Sequence, residues 1–227
     1  MRLNRFYLEN FLEDEIIELR DGPIFHQLKN VLRIKKGDLI SFFNQTERVY
    51  IVREIDKRSI IFDFQEKVKN NFKIKRDVIL FQSIIKRDKM DWVIQKATEL
   101  GVSKIVPVVA KRSEKKDINL ERLKRIAIEA SEQCGRISIP EIVSPINFTD
   151  IWTLAEGDVF IGDFSGTSLK NEEINKSISI IIGPEGGFDK KEIDIAKIKK
   201  TKVVSLDNYI LRSETASLSF LVLLTNL

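Results

Sequence analysis

The chain is poor in the residues that build covalent or metal cross-links. It has a single cysteine, Cys134, and a single histidine, His26, in 227 residues. One cysteine excludes an intramolecular disulfide, and one histidine leaves no His/Cys set for a metal, so no metal site is expected. Apolar runs long enough to span a membrane are missing, and nothing resembles a signal peptide. No internal repeat or low-complexity tract is present. These absences together predict a cytoplasmic globular protein with no membrane partner. Two nucleotide-binding patterns are also missing. No G-x-G-x-x-G lies between an early strand and a helix with an acid about 20 residues on, and no Gly-Lys-Ser/Thr closes a P-loop.

What remains is ordinary in bulk and uneven in detail. Apolar residues are 43% and charged residues 32%, as in a soluble globular protein long enough for one large or two small domains. Residues 1–76 hold 16 Lys+Arg against 12 Asp+Glu, a net +4, and residues 77–227 hold 22 of each, a net zero. The whole positive excess lies in the N-terminal third. It is either a solvated surface or the face of a nucleic-acid-binding module.

Residues 1–72 read as β-rich. Short runs at 6–8, 15–19, 39–43, 49–55 and 60–64 are separated by turn signals at Asp21-Gly22-Pro23, Lys36-Gly37-Asp38, Asn44-Gln45 and Asp56-Lys57. That is the pattern of a small barrel, with one or two helical turns at 26–32. The basic stretch 67–75 is the linker candidate. Beyond it the period changes. Apolar runs at 78–85, 105–109, 159–162, 178–182 and 203–206 read as buried strands, and 88–100, 120–134 and 213–225 read as helices. Asp189 and Glu192 form a predicted capping box for a helix running to Lys200. Strands alternating with helices predict a mainly parallel α/β sheet. The last helix is apolar on most sides, which marks it as buried or at an interface.

Two loops near the C-terminus are the candidate site, Gly183-Pro184-Glu185-Gly186-Gly187-Phe188 and Leu206-Asp207-Asn208-Tyr209-Ile210-Leu211-Arg212-Ser213-Glu214. Each follows a buried strand, and ligands of open α/β sheets bind outside the carboxyl ends of strands. Three glycines let the backbone come close to a ligand, though a tight turn would use them too. Ser213 and Glu214 have a sufficient local role as a helix cap and first-turn acid. Lys96 and Glu99 read as a solvated pair, and Cys134 as a buried, inert thiol beside Ala127 and Ala130. His26 alone reads as a satisfied polar residue. Arg5, Arg33, Lys35, Lys36, the run Lys111-Arg112 with Lys115-Lys116, Gln133 and Arg136 are able to reach phosphates or bases.

Five segments in this order resemble one family. They are HxxxxVLRxxxGD from His26, KMDxxIQKxTELGV from Lys89, EAxEQxGRxxIP from Glu129, IIGPEGGF from Ile181 and LxxxILRxETA from Leu206. Over about residues 5–220 the chain resembles the RsmE family, the 16S ribosomal RNA uridine N3-methyltransferases of the SPOUT class. The resemblance implies a PUA-like β-barrel over residues 1–72 that helps bind RNA. It also implies an α/β domain over residues 73–227 whose trefoil knot forms the S-adenosylmethionine site. A homodimer with the active site near its interface is implied as well, with 16S ribosomal RNA, alone or in the small subunit, as partner.

By position, the resemblance implies cofactor contacts from Gly183, Pro184, Glu185, Gly186, Gly187, Leu206, Ile210 and Leu211. Arg212, Glu185 and Glu214 are the candidate catalytic groups. Arg5, His26, Arg33, Arg112, Gln133 and Arg136 are the candidate RNA contacts. Asp207 stands where the family usually has glycine, and Ser213 where it usually has threonine. The rival readings are an RNA-binding protein without catalysis and a SPOUT methyltransferase acting on another RNA.

Overall fold

The computed structural model describes residues 3–11, 13–69, 76–114, 117–168, 175–206 and 209–226. Contacts divide the chain into two units, Met1–Phe72 with Ser131–Ser138, and Lys73–Ala130 with Ile139–Leu227. The segment Ser131–Ser138 is a departure from the expected split at residue 72.

The first unit is a five-stranded sheet in the order β1 (Asn4–Tyr7), β3 (Leu39–Asn44), β4 (Thr46–Ile55), β5 (Ser59–Lys67), β2 (Ile16–Arg20). β1 runs parallel to β3, and the other pairs are antiparallel. Among the described residues the two edge strands, β1 and β2, do not pair with each other, and the expected barrel takes the form of a curled sheet. Both edges still feed one core: Phe6 from β1 and Ile17 and Leu19 from β2 pack with Phe42, Tyr50 and Phe62. Phe42 sits at its centre, with ring contacts to Phe6, Tyr50 and Phe62. The buried Tyr50 hydroxyl is satisfied by donating to the Asp14 carbonyl at 2.8 Å. Asp21 and Gly22 take positive φ, and Pro23 opens the short helix α1 (Pro23–His26), which runs into a π-helical turn at Gln27–Val31.

The second unit is an α/β layer. Its strands run in the order β12 (Lys202–Ser205), β10 (Asp158–Ser168), β11 (Ser177–Ile182), β6 (Asp77–Ser83), β7 (Lys104–Val109), β8 (Glu141–Ile142), and β9 (Ile146–Asn147) also pairs with β7. Every pair is parallel. Both faces are covered, which explains the unbroken apolar runs. On one face, α2 (Arg87–Glu99), α3 (Leu120–Cys134) and α5 (Ser213–Asn226) contribute Val93, Ile94, Leu123, Phe220 and Leu221 to a core with Leu80, Ile105 and Ile180. On the other, α4 (Lys190–Ile198) and a 3-10 helix at Phe148–Thr153 cover Phe81, Val106 and Ile181. Burying an isoleucine such as Ile180, which is 0% exposed, is worth about 1.5–3 kcal/mol.

Most departures from the sequence reading are polar or very short. β8 and β9 have two residues each, too few to show a period. β10 continues beyond Gly162 through mostly small or polar residues, past a register shift against β12 between Gly162 and Thr167. The helix expected to reach Lys200 ends at Ile198, and Lys200 takes φ +58. Cys134 is half-buried rather than buried.

Candidate functional site

The carboxyl ends of β11 and β12, with the middle of β10 at Gly162, Asp163 and Phe164, surround a cavity of about 440 Å³. Its walls include Gly183, Pro184, Glu185, Gly186 and Gly187 after β11, and Leu206, Ile210 and Leu211 after β12. The volume lies inside the roughly 300–1,000 Å³ range of small-molecule sites. Ile182, Phe188, Val204 and Phe220 give it apolar walls, and Arg112, Asp163 and Glu185 are its charged members.

The glycines of the first loop answer to three different constraints. A Cβ on Gly183 would lie 3.1 Å from the Phe188 ring. One on Gly186 would lie 3.3 Å from the Arg112 Cβ. Gly187 takes φ +67, in the left-handed region, and its N–H donates to the Pro184 carbonyl at 2.9 Å. The tight turn is therefore real and faces the cavity. Beyond it, the Asp189 carboxylate accepts from Lys191 N and the Glu192 carboxylate from Asp189 N, the expected capping box of α4. The Lys111 ammonium at 3.0 Å, the Lys191 N–H and nearby Arg112 hold the Asp189 carboxyl below its usual range.

Arg112 sits against the first loop. Its Nη1 donates to the Gly186 carbonyl at 3.0 Å, and Nη2 lies 3.9 Å from Asp189. Glu185 is exposed and accepts from the Lys86 N–H, at the start of α2, at 3.1 Å. At the second loop, the Arg212 carbonyl accepts from Ala216 N and its side chain is exposed. Ser213 is the first residue of α5 and does not cap it: its hydroxyl donates to the Gly183 carbonyl at 2.5 Å. Glu214 is ion-paired with Lys89 of α2 at 3.3 Å. Neither Arg212 nor Glu214 lines the cavity, although Leu211 and Ser213 on either side of Arg212 do. Asp207, Lys115 and Lys116 lie outside the described residues.

The candidate RNA contacts divide differently. In the first unit, His26 is exposed, with Nδ1 3.2 Å from Asn30 Nδ2, and Arg33 is exposed with φ +51. Gln133 is exposed, and Arg136 is half-buried and donates to Ser138 Oγ at 3.1 Å. Burial lowers the Arg136 guanidinium from its ordinary value, though an arginine stays charged.

Arg5 corrects the sequence reading. Its side chain is 8% exposed and its guanidinium is committed internally, to both Glu47 oxygens and to the carbonyls of Ser131, Glu132 and Arg136. It is a brace inside the first unit and is not open to a phosphate. The sequence showed a cation near a strand, and only the fold brings Glu47 and the 131–136 carbonyls around it.

A family model described as an RNA methyltransferase domain matches residues 72–225, and one described as an RNA methyltransferase PUA domain matches residues 19–65. The chain is 33% identical to the ribosomal RNA small subunit methyltransferase E of Rickettsia conorii, over 96% of this chain and 93% of that one. It is 34% identical to the protein of the same name from Aquifex aeolicus, over 97% and 98%. The chain belongs to the ribosomal RNA small subunit methyltransferase E family. A crystal structure of the Neisseria gonorrhoeae member, bound to S-adenosyl methionine, superposes with a TM-score of 0.89 at 26% identity, covering 98% of this chain and 96% of that one. The α/β unit and the curled, PUA-like sheet are thus those of an RNA methyltransferase.

Several cavity residues escaped the sequence reading. Gly162, Asp163 and Phe164 lie within β10 where the apolar run ends and no motif surrounds them, and Phe220 lies on a helix that reads as apolar on most sides. The signal available in the sequence is topological: the apolar run 159–162 ends at Gly162, beside the strands that carry the two loops.

Proposed function

We propose that this protein transfers the methyl group of S-adenosylmethionine to N3 of a uridine in 16S ribosomal RNA. The observation that carries the reading is the cavity: all eight residues expected at the cofactor line it. The residues present fit a nucleoside-bearing ligand. Apolar walls from Ile182, Val204 and Phe220 suit a base, and the backbone of the lining residues 183–187 offers donors and acceptors for a ribose and an amino-acid tail. Added side chains would obstruct it, since a Cβ on Gly162 would meet the Phe220 ring at 2.8 Å and Ile182 at 3.2 Å. S-adenosylmethionine, when bound, supplies a methyl group activated by a sulfonium.

The chain's own groups must then handle the uridine. Its N3 carries a proton on the Watson–Crick edge, so the base has to be unpaired or extruded. Arg212, exposed beside the cavity at the N-terminus of α5, favours the N3 anion. Glu185 lines the cavity with one oxygen engaged by Lys86 N, and it orients the uracil or takes its proton. Glu214, held by Lys89, supports the same edge. His26, Arg33, Gln133 and Arg136 in one unit and Arg112 in the other supply RNA contacts, which makes binding salt-dependent. Arg5 is left out of this set.

The strand order supports a trefoil knot. The chain leaves β12 at the sheet edge, beyond β10, yet Ser213 returns to the ends of β11 and β6. A homodimer is supported by apolar side chains left open on α2 and α5: Trp92 at 41%, Val222 at 44% and Leu223 at 42% exposure. A cytoplasmic location follows from the ribosomal RNA substrate.

Calorimetric titration with S-adenosylmethionine, wild type beside Gly186→Trp, tests the site. Saturable binding lost in the variant is the expected result, followed by N3-methyluridine in 16S ribosomal RNA treated with the wild type. A folded wild type that binds neither alone nor with RNA present would defeat the proposal.

A further inference from the structure

We infer that Gln82 is a positioning residue that locks the two cavity loops to each other. It stands at the end of β6 on the sheet face that carries Val78 and Leu80 into the core, where another apolar residue would be expected. It is completely buried, as is Ser217, and Ser213 is 5% exposed. A primary amide in such a place must be hydrogen-bonded to be tolerated. Gln82 Nε2 donates to Ser213 Oγ at 3.1 Å and to the Ser83 carbonyl at 2.9 Å, and Oε1 accepts from Ser217 Oγ at 2.5 Å. Ser213 Oγ has one proton, and it goes to the Gly183 carbonyl at 2.5 Å. The relay therefore runs from β6 through the first turn of α5 to the first residue of the glycine loop.

Its ends explain its use. Gly183 begins the loop that walls the cavity, and Ser213 lies between Arg212 and Glu214. Within 183–188 the described backbone makes one turn hydrogen bond, Gly187 N to Pro184 O, so local bonding alone leaves the loop loosely held. Arg112 and Lys86 hold Gly186 and Glu185 farther along, and Gln82, through Ser213, anchors the first residue of the loop. It makes the position of the glycine loop and the direction of Arg212 a single setting, made before any ligand arrives. The role of Gln82 in cofactor affinity rests on the proposed S-adenosylmethionine site; its role in ordering the loops does not.

Hydrogen exchange on the ligand-free protein separates the two. Gln82→Met keeps the shape of the side chain and removes the amide; Ser213→Ala removes the relay hydroxyl. Both should speed amide exchange at 183–188 and 212–217 by about tenfold or more while β7 exchanges as in the wild type. S-adenosylmethionine should bind about tenfold more weakly to each, and the double variant should be no worse than the weaker single one, because both cut one chain of contacts. Ser213→Thr, which keeps the hydroxyl, should retain wild-type affinity. Unchanged loop exchange, or faster exchange spread evenly over the unit, would overturn the inference. So would additive losses in the double variant. If Gln82→Met does not fold, Ser217→Ala removes the hydroxyl that meets Gln82 Oε1 and the Ser213 carbonyl, leaves the Gln82 amide in place, and should show the same loop-confined pattern. A wild type that binds no S-adenosylmethionine would sink the proposed function, while the exchange data would still decide the role of Gln82.

Discussion

Replacing Arg5 by alanine should destabilise the N-terminal unit far more than loss of a surface cation would. The guanidinium donates to Glu47 at 2.7 and 3.0 Å and to the carbonyls of Ser131, Glu132 and Arg136 at 2.9, 3.1 and 3.0 Å. Both ionic side chains are 8% exposed. Without Arg5, the Glu47 carboxylate stays buried beside the Ser41 hydroxyl, which donates to it at 2.6 Å, and the carbonyls of Ser131, Glu132 and Arg136 each lose one donor. Breaking one side of a buried pair costs about 3–5 kcal/mol. With a urea m-value of about 1–3 kcal/mol/M, that moves the unfolding midpoint of this unit down by about 1 M or more. Both tryptophans, Trp92 and Trp152, lie in the other unit. The assay is therefore far-ultraviolet circular dichroism in urea, with hydrogen exchange of β3 and β4 alongside. Arg5→Met combined with Glu47→Leu should recover most of the loss, because no charge is then stranded. A midpoint change equivalent to less than about 1 kcal/mol, the scale of an exposed ion pair, would refute the brace. RNA binding gives a second reading. A phosphate contact removed would flatten the slope of affinity against salt by about one unit, whereas an internal brace leaves it unchanged.

Three further outcomes follow from the geometry. Arg212→Ala should lower methylation by about a hundredfold or more while S-adenosylmethionine affinity and melting temperature stay near wild type, since the side chain is exposed and outside the cavity wall; normal turnover would end its catalytic role. Gly166→Ala would place a Cβ 2.5 Å from Val204 N and 2.6 Å from Val203 C, so β10 and β12 must part. It should cost about 1–3 kcal/mol by thermal melt and weaken S-adenosylmethionine binding, because Val204 and Ser205 line the cavity. The Asp189 carboxyl is lowered in the folded state, chiefly by Lys111, so its contribution is present above the unfolded value near about 3.9 and is lost as pH falls through the lower folded value. The stability gap between wild type and Asp189→Asn should therefore close on acidification below about pH 4, and a gap that persists to pH 2 would contradict the assignment.

Much of the fold was legible because burial on both faces of a parallel sheet writes itself as apolar runs, and helices write their 3.6 period. Ile178 to Ile182 and the stripe Met90, Val93, Ile94, Ala97 are of this kind. Strand ends were harder. Residues 163–168 of β10 are mostly small or polar apart from the exposed Phe164, and the pairing of this stretch with β12 depends on a register shift that no local pattern encodes. That β1 and β2 do not pair among the described residues was equally hidden, since five alternating strands read alike whether or not the ring closes.

The sequence by itself determined the layers, the order of the elements and the two loops that wall the cavity, because period, turn chemistry and motif order are properties of neighbouring residues. Only the tertiary structure decided what the polar residues do. Arg5 and Arg33 are the same residue type in the same basic third, yet one is enclosed by Glu47 and three carbonyls and the other stands in solvent. Ser213 has the sequence of a helix cap and the geometry of a tether to Gly183, and Gln82 has the position of a core residue and the bonds of a relay. Apart from the Ser83 carbonyl beside Gln82, the partners that matter lie between 30 and 135 residues away. A hydrogen bond is set by distance in space, which the chain specifies only once it is folded.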